Sequence, residues 1–302
     1  MVNKTTLAVI GGSRAYDLLK SSGFGAVKGK PHVIKTPFGN SAPVRLFSSS
    51  RFSYFFLSRH GEKGYEVSAP YVNYRANIWA LKKLGVERIV SWSQPGAISP
   101  KIKPGDFILP HDIIDMTKNR PANFFEGTGL GFIRMSEPFC PEVRSACAHA
   151  LSTASFGGKQ GSLKLAWHAN GVYVCTEGPR LETPAEIRMF ARWGGDLVGM
   201  TLVPEAFLAR QMEMCYGAIC LSSNFAEGVV ARGFKEGELF EGMLAPEESA
   251  AVEASVQHLP RIIGAALGAL AGMKRECKCG LAMERYRKKG LVKDLLKAAK
   301  LR

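Results

Sequence analysis

Short apolar runs alternate with helix-spaced apolar positions along most of the chain. Leu7-Ala8-Val9-Ile10 is a run of strand length that ends in Gly11-Gly12-Ser13, a tight-turn sequence. A second run over 52–57 ends in Ser58-Arg59-His60-Gly61. Over 75–85, Ala76, Ile78, Ala80, Leu81 and Leu84 fall at helical spacing and Gly85 supplies a stop. The same reading predicts strands over 88–92, 107–114, 172–176, 197–200 and 218–221. It predicts helices over 141–156, 184–193, 203–213 and 247–273, and a polar, Gly/Asn-rich loop over 115–131. Strands alternate with helices, and tandem hairpins are few after residue 75. That pattern predicts one α/β domain over residues 1–273, with a mixed, largely parallel twisted sheet flanked by helices. In such sheets ligand-binding groups sit just past the carboxyl ends of the strands.

Composition changes this picture in one respect. Apolar residues make up 46% of the 302 and charged residues 22%, an ordinary globular balance that excludes a disordered or collagen-like chain. The net charge of +14 is unusual and points to an anionic partner: nucleic acid, an acidic membrane or a phosphorylated small molecule. The excess is uneven. Residues 274–302 hold eleven Lys and Arg against Glu276, Glu284 and Asp294, which is +8 of the +14. This stretch reads as a basic C-terminal tail, partly helical or disordered, with a break at Gly290. Its removal is expected to leave the working of residues 1–273 intact. The longest nearly apolar stretch, 262–273, is too short to span a bilayer. The start of the chain lacks the ordered regions of a secretory signal, so a cytoplasmic location is expected. Seven scattered cysteines in a chain of this size argue against a disulfide framework. Cys277-Lys-Cys279 is their one close pair. Alone it cannot complete a four-ligand zinc site, so no metal is expected there, only incidental thiols or a labile local disulfide.

Several strand ends carry groups suited to an anion. Gly11-Gly12-Ser13 can present backbone N–H groups and a hydroxyl. By itself it is a plain turn, and it has neither dinucleotide nor Walker spacing. Arg59 offers a planar fork for phosphate oxygens beside His60. Ser93 and Thr201 are hydroxyls that follow the strands over 88–92 and 197–200. A parallel sheet gathers these ends along one edge, so Ser13, Arg59, His60, Ser93 and Thr201 together point to a phosphate site. Thr176-Glu177-Gly178-Pro179-Arg180-Leu181-Glu182-Thr183 then enters a helix with Thr183 as N-cap and Pro184 in its first turn.

Five segments, in this order and spacing, resemble the trimeric purine nucleoside phosphorylases. They are Gly11-Gly12-Ser13, Ser58-Arg59-His60-Gly61, Val72-Asn73-Tyr74-Arg75-Ala76-Asn77, Glu177-Gly178-Pro179-Arg180 and Gly199-Met200-Thr201-Leu202-Val203-Pro204-Glu205. The 5'-methylthioadenosine branch is nearest, and the similarity covers about residues 5–272. It implies a nucleoside phosphorylase-like fold, a homotrimer and no cofactor. Inorganic phosphate would be the co-substrate in splitting a purine nucleoside to base and ribose 1-phosphate. It implies a phosphate cradle of Ser13, Arg59, His60, Ser93 and Thr201, with Met200 over the ribose and Leu181 against the base. His60 and Asn224 would be the catalytic pair.

The resemblance departs from the branch at the base. Methylthioadenosine enzymes carry two aspartates where this chain has Asn224 and Ala226. Asn224 and Glu182 are instead what 6-oxopurine enzymes carry. An amide NH2 donates to O6, which an ionised carboxylate cannot do, and a glutamate accepts N1–H. No histidine occurs over 225–257, where ordinary 6-oxopurine enzymes meet the 5'-hydroxyl. Val229, Val230, Phe234, Leu239, Phe240 and Met243 offer an apolar lining suited to a methylthio group. The expected substrate is therefore 5'-methylthioinosine, with methylthioadenosine as the alternative. A reading from another class is a basic nucleic-acid-binding protein on a degenerate enzyme core, supported by the net charge and the last helix. The tail alone keeps nucleic acid open as a partner. Arg14 stands where the family has glycine, Gln94-Pro95 replaces small residues, and Gly64 replaces a second histidine.

Overall fold

The computed structural model describes residues 5–18, 26–158, 161–233 and 236–300. An eight-stranded sheet forms its centre. From one edge it runs Trp167–His168, Phe107–Ile108, Cys215–Leu221, Arg88–Ser93, Leu7–Gly11, Ser53–Ser58, Val44–Ser48 and Ala26–His32. Leu7–Gly11 pairs in parallel with Ser53–Ser58 and Arg88–Ser93, and the latter in parallel with Cys215–Leu221. The two outer strands after Ser53–Ser58 are antiparallel. A second, five-stranded sheet runs Asp112–Met116, Val172–Thr176, Leu197–Gly199, Gly96–Ala97 and Asn224–Phe225. The mixed, largely parallel arrangement expected from the hydrophobic pattern is present.

Strand alternation sorts the central sheet into two faces. Ala8, Ile10, Leu57, Ile89 and Ala218 face one core with helices Tyr74–Lys83 and Leu202–Gln211. Leu7, Val9, Phe56, Val90 and Ile219 face another with helices Pro141–Thr153 and Pro246–Leu270. The apolar stretch over 262–273 lies mostly in that last helix, where Ile262, Ile263, Ala266, Leu267 and Leu270 are buried. Among the described residues no helix is long and apolar enough to cross a membrane.

The helix expected over 141–156 ends at Thr153, and Ser155–Gly158 is a strand paired with Gly161–Lys164. The structure differs from expectation at three further places. The run over 107–114 is two strands, Phe107–Ile108 and Asp112–Met116, which enter different sheets. Leu109-Pro110-His111 between them breaks the pairing, because proline has no N–H for a ladder. The outer strands Ala26–His32 and Val44–Ser48 carry no clean apolar run. Gly29, Pro31 and the basic residues of Ala26–His32 suit an edge, where pattern is weakest. Finally, residues 274–300 fold against the body. Met283, Tyr286, Val292, Leu295, Ala298 and Ala299 are buried in the first core and Cys279 in the second. Arg287 makes a two-pronged ion pair with Glu213, and Tyr286 Oη accepts a hydrogen bond of 3.0 Å from the Phe132 amide. The break at Gly290 is present, with φ of +69° between the short helices Glu284–Lys288 and Leu295–Ala298.

Candidate active site

Two chain segments cross from the central sheet to the smaller one. Arg88–Ser93 leads through Gln94-Pro95 into Gly96–Ala97, and Cys215–Leu221 leads through Ser222-Ser223 into Asn224–Phe225. A cavity opens at this crossing, at the carboxyl ends of the central strands. Ser13, His60, Ser93 and Thr201 line it, and so do Leu181, Glu182, Met200 and Asn224. The fold thus brings eight of the nine expected site residues to one cavity.

Arg59 is the exception. Its side chain is fully buried and does not line the cavity. Nε and Nη2 grip the two oxygens of Glu205 at 2.8 and 2.7 Å. Nη2 also donates to Ser91 Oγ at 2.8 Å, and Nη1 to the Trp92 carbonyl at 3.2 Å. Ser91 and Tyr216 add hydroxyl donors to Glu205 Oε1 at 3.0 and 2.7 Å. Burial alone would lower the pKa of Arg59, but the charge and hydrogen bonds of Glu205 outweigh it and raise it. The guanidinium lies directly beneath the glycine turn, since a Cβ on Gly12 would sit 3.0 Å from Nη1. Glu205 therefore takes the fork that sequence reasoning assigned to phosphate.

The other residues expected around an anion are neutral donors and acceptors. Ser93 Oγ lies 3.1 Å from both Thr201 Oγ1 and Tyr173 Oη. Tyr173 reaches them because Gly199 has no side chain; a Cβ there would sit 2.1 Å from the phenol oxygen. His60 Nδ1 lies 2.8 Å from the Val67 carbonyl, which can only accept, so Nδ1 carries the hydrogen and Nε2 is a bare acceptor. Burial and the neighbouring Arg59 charge lower the His60 pKa to about 4. The ring stacks on Tyr65, with centroids 4.4 Å apart.

Glu182 and Asn224, the groups expected at the base, line the same cavity. Thr176 Oγ1 donates to Glu182 Oε1, and desolvation by burial raises the Glu182 pKa despite that bond. Glu182 precedes helix Pro184–Arg192, whose N-cap is Thr183 in a complete capping box with Glu186. Asn224 Oδ1 accepts from Ser223 Oγ at 2.6 Å, and Nδ2 donates to the Phe225 carbonyl at 2.8 Å. Nδ2 also lies 3.7 Å from Met243 Sδ. Met200 packs into the turn at Gly178, where φ is +69° and a Cβ would meet Met200 Sδ at 2.4 Å. Met243 lines this cavity, and with Val230 and Leu239 it lines an adjoining one. Val229 packs on the small core of the second sheet. Phe234 lies outside the described residues, and Phe240 opens the short turn Phe240–Met243.

Sequence reasoning missed four residues that hold this arrangement. Tyr65 and Tyr173 gave no motif, and Glu205 gave no reason to pair with Arg59. Arg120, in the expected loop, is buried. It donates through Nη1 to the Met200 carbonyl and, at 2.7 Å, to that of Val203. Through Nη2 it donates to the carbonyls of Thr176, at 3.1 Å, and Glu177. Arg14 has φ of +63°, a conformation that favours glycine, and it pairs with Glu253 at 2.5 Å.

A family description, "Phosphorylase superfamily", matches residues 6–257. The chain belongs to the phosphorylase superfamily. It is 39% identical over 282 residues to "6-oxopurine nucleoside phosphorylase" of Pyrococcus furiosus, covering 91% of this chain and 95% of that one. It is 41% identical over 237 residues to "Probable S-methyl-5'-thioinosine phosphorylase" of Methanothermobacter thermautotrophicus, covering 78% of each. A crystal structure of a methylthioadenosine phosphorylase sourced from an antarctic soil metagenomic library matches with a TM-score of 0.80 at 29% identity, covering 99% of both chains. The superfamily match spans both sheets and both segments that cross between them, so it takes in the whole cavity.

Proposed function

We propose that this phosphorylase cleaves 5'-methylthio purine nucleosides with inorganic phosphate, giving a purine base and 5-methylthioribose 1-phosphate, with the 6-oxopurine methylthioinosine preferred. The observation that carries this reading is the meeting of Glu182 and Asn224 with Ser13, His60, Ser93 and Thr201 in one cavity.

The chemistry follows from those groups. As the glycosidic bond stretches, the sugar gains oxocarbenium character, and phosphate held close to C1' stabilises it before attacking. Ser13, Ser93 and Thr201 supply hydroxyls to phosphate oxygens. Neutral His60 accepts a hydrogen from a phosphate P–OH at Nε2. Arg59 contributes from beneath the Gly12 turn as a paired charge rather than as a direct fork. Negative charge develops on the departing purine, and Asn224 answers it by donating at O6 or N7. Glu182 accepts N1–H. Met200 covers the ribose and Leu181 packs on the base. Met243 with Val230 and Leu239 suits a thioether. Most of the rate comes from positioning and electrostatics.

The relatives named for 6-oxopurine and methylthioinosine support this choice of base. The structural neighbour named for methylthioadenosine favours the second reading, a methylthioadenosine phosphorylase. The proposed assembly is a homotrimer; Phe132 and Tyr71, 78% and 75% exposed, are side chains that an interface between copies would cover. Light scattering tests the assembly.

A panel of nucleosides with and without phosphate tests the function. Hypoxanthine should leave methylthioinosine only when phosphate is present; no phosphate-dependent release from any purine nucleoside would sink the reading. Asn224→Asp should move the ratio of kcat/KM for 6-oxo over 6-amino substrates by at least about tenfold toward the amino base, because a carboxylate cannot donate to O6. An unchanged ratio would remove Asn224 from base selection.

A further inference from the structure

The fold gathers four cysteines that the sequence scatters. Cys140 is the N-cap of helix Pro141–Thr153, and Cys215 opens the strand Cys215–Leu221. Cys277 and Cys279 come from the C-terminal segment. All four Sγ atoms lie within 4.8 Å of one another, with Cys215 and Cys277 at 3.2 Å. Three of the four residues are buried and Cys277 is half-buried. A tetrahedral zinc ion with Zn–S bonds of about 2.3 Å needs sulfurs about 3.8 Å apart, which falls within the spread of this cluster.

We propose that Cys140, Cys215, Cys277 and Cys279 form a tetrathiolate zinc site that fastens the C-terminal segment to the phosphorylase body. Binding releases the four thiol protons and leaves a net charge of −2 on the zinc and its sulfurs. The surroundings suit that charge. The Arg275 guanidinium acts on Cys215, Cys277 and Cys279, and the Arg210 charge reaches Cys279. The Cys-x-Cys loop is held independently by Glu142, whose Oε1 accepts from the amides of Glu276 and Cys277 at 2.7 and 2.6 Å. The other three cysteines, Cys147, Cys175 and Cys220, lie outside this cluster. The strand from Cys215 to Leu221 places the cluster about 20 Å from the cavity, so the zinc is structural and takes no part in phosphorolysis.

The test uses the full chain, expressed with added zinc and purified under reductant without chelator. Elemental analysis should find about one zinc per chain. The metal should be lost in Cys277→Ser and Cys279→Ser and retained in Cys147→Ala. In wild-type protein, stripping zinc with a chelator should lower Tm by about 5 °C or more and expose four additional titratable thiols, with kcat at low temperature unchanged. This wild-type arm keeps the test valid if a cysteine variant fails to fold. Cobalt added to the stripped protein should give a tetrahedral thiolate spectrum. Metal-free protein with seven titratable thiols overturns the proposal. So does metal-free protein whose intact mass is four hydrogens light, since the cluster would then be two disulfides. Iron in place of zinc overturns the choice of metal. Loss of zinc together with kcat at low temperature overturns the structural role.

Discussion

Glu182 and His60 are buried at the cavity with their pKa values pushed in opposite directions, and each gives a measurable pH effect. Desolvation raises the Glu182 pKa above its ordinary 4.5. As pH falls through that raised value the carboxyl gains a proton and can no longer serve as a pure acceptor for N1–H. KM for a 6-oxopurine nucleoside should therefore rise on the acid side, starting at a higher pH than for an ordinary carboxylate. Glu182→Gln should abolish that limb and lower kcat/KM for the 6-oxopurine by about 10- to 100-fold, as expected for a lost charged hydrogen bond. Steady-state kinetics across pH reads both. His60 works through stability. Its ordinary pKa is 6.5 and its folded value is about 4, so between these the unfolded chain binds more protons than the native one. Stability credited to the neutral ring is complete above pH 6.5 and is lost as pH falls toward 4, about 3 kcal/mol in all. Urea unfolding of wild type and His60→Gln at pH 7 and pH 4 checks this; the loss on acidification should be smaller in the variant.

At the scale of elements, what was readable in the sequence separates by range. Ser13, His60, Ser93 and Thr201 each follow an apolar run, so their place at a strand end could be read locally. Thr183 likewise carries its capping box within four residues. Arg59 was placed at the right strand end and given the wrong partner, because Glu205 reaches it from a helix far along the chain. Tyr173 was hidden inside a strand whose pattern reports burial and not the reach of a phenol. Arg120 lay in a stretch with no periodicity, yet it clamps the strand end at Thr176-Glu177 to the turn at Met200–Val203. Four carbonyls depend on its fork, and a lysine ammonium cannot span them. Arg120→Lys should loosen Met200 and Thr201 together. It is expected to raise KM for both nucleoside and phosphate, by about tenfold or more, with a smaller change in kcat. A change in kcat alone would show that the clamp does not set the cavity's shape.

Across the whole molecule, the C-terminal segment alters what the +14 charge means. Read as a tail, residues 274–302 invited a nucleic-acid partner and a harmless deletion. In the fold, its charged side chains are partly committed, with Arg287 on Glu213 and Arg275 Nη2 on the Glu213 carbonyl at 2.7 Å. Its apolar side chains complete a core that also holds Ile78, Leu81 and Ala209. Met283, Tyr286, Val292 and Leu295 are each at most 6% exposed, so deletion would uncover them and the surface beneath. Burial of one such side chain is worth about 1.5–3 kcal/mol, and four together approach the stability of an ordinary domain. Ending the chain at Met273 should therefore give insoluble protein or a large drop in Tm, with activity lost through unfolding. The pair Tyr286→Ala and Leu295→Ala should lower Tm by several degrees while the nucleoside preference stays as in wild type. A soluble, fully active chain ending at Met273 would return the segment to the status of a tail. A shifted nucleoside preference in the point variants would instead tie this core to the cavity through Leu202 and Val203, which pack in the same cluster immediately after Thr201.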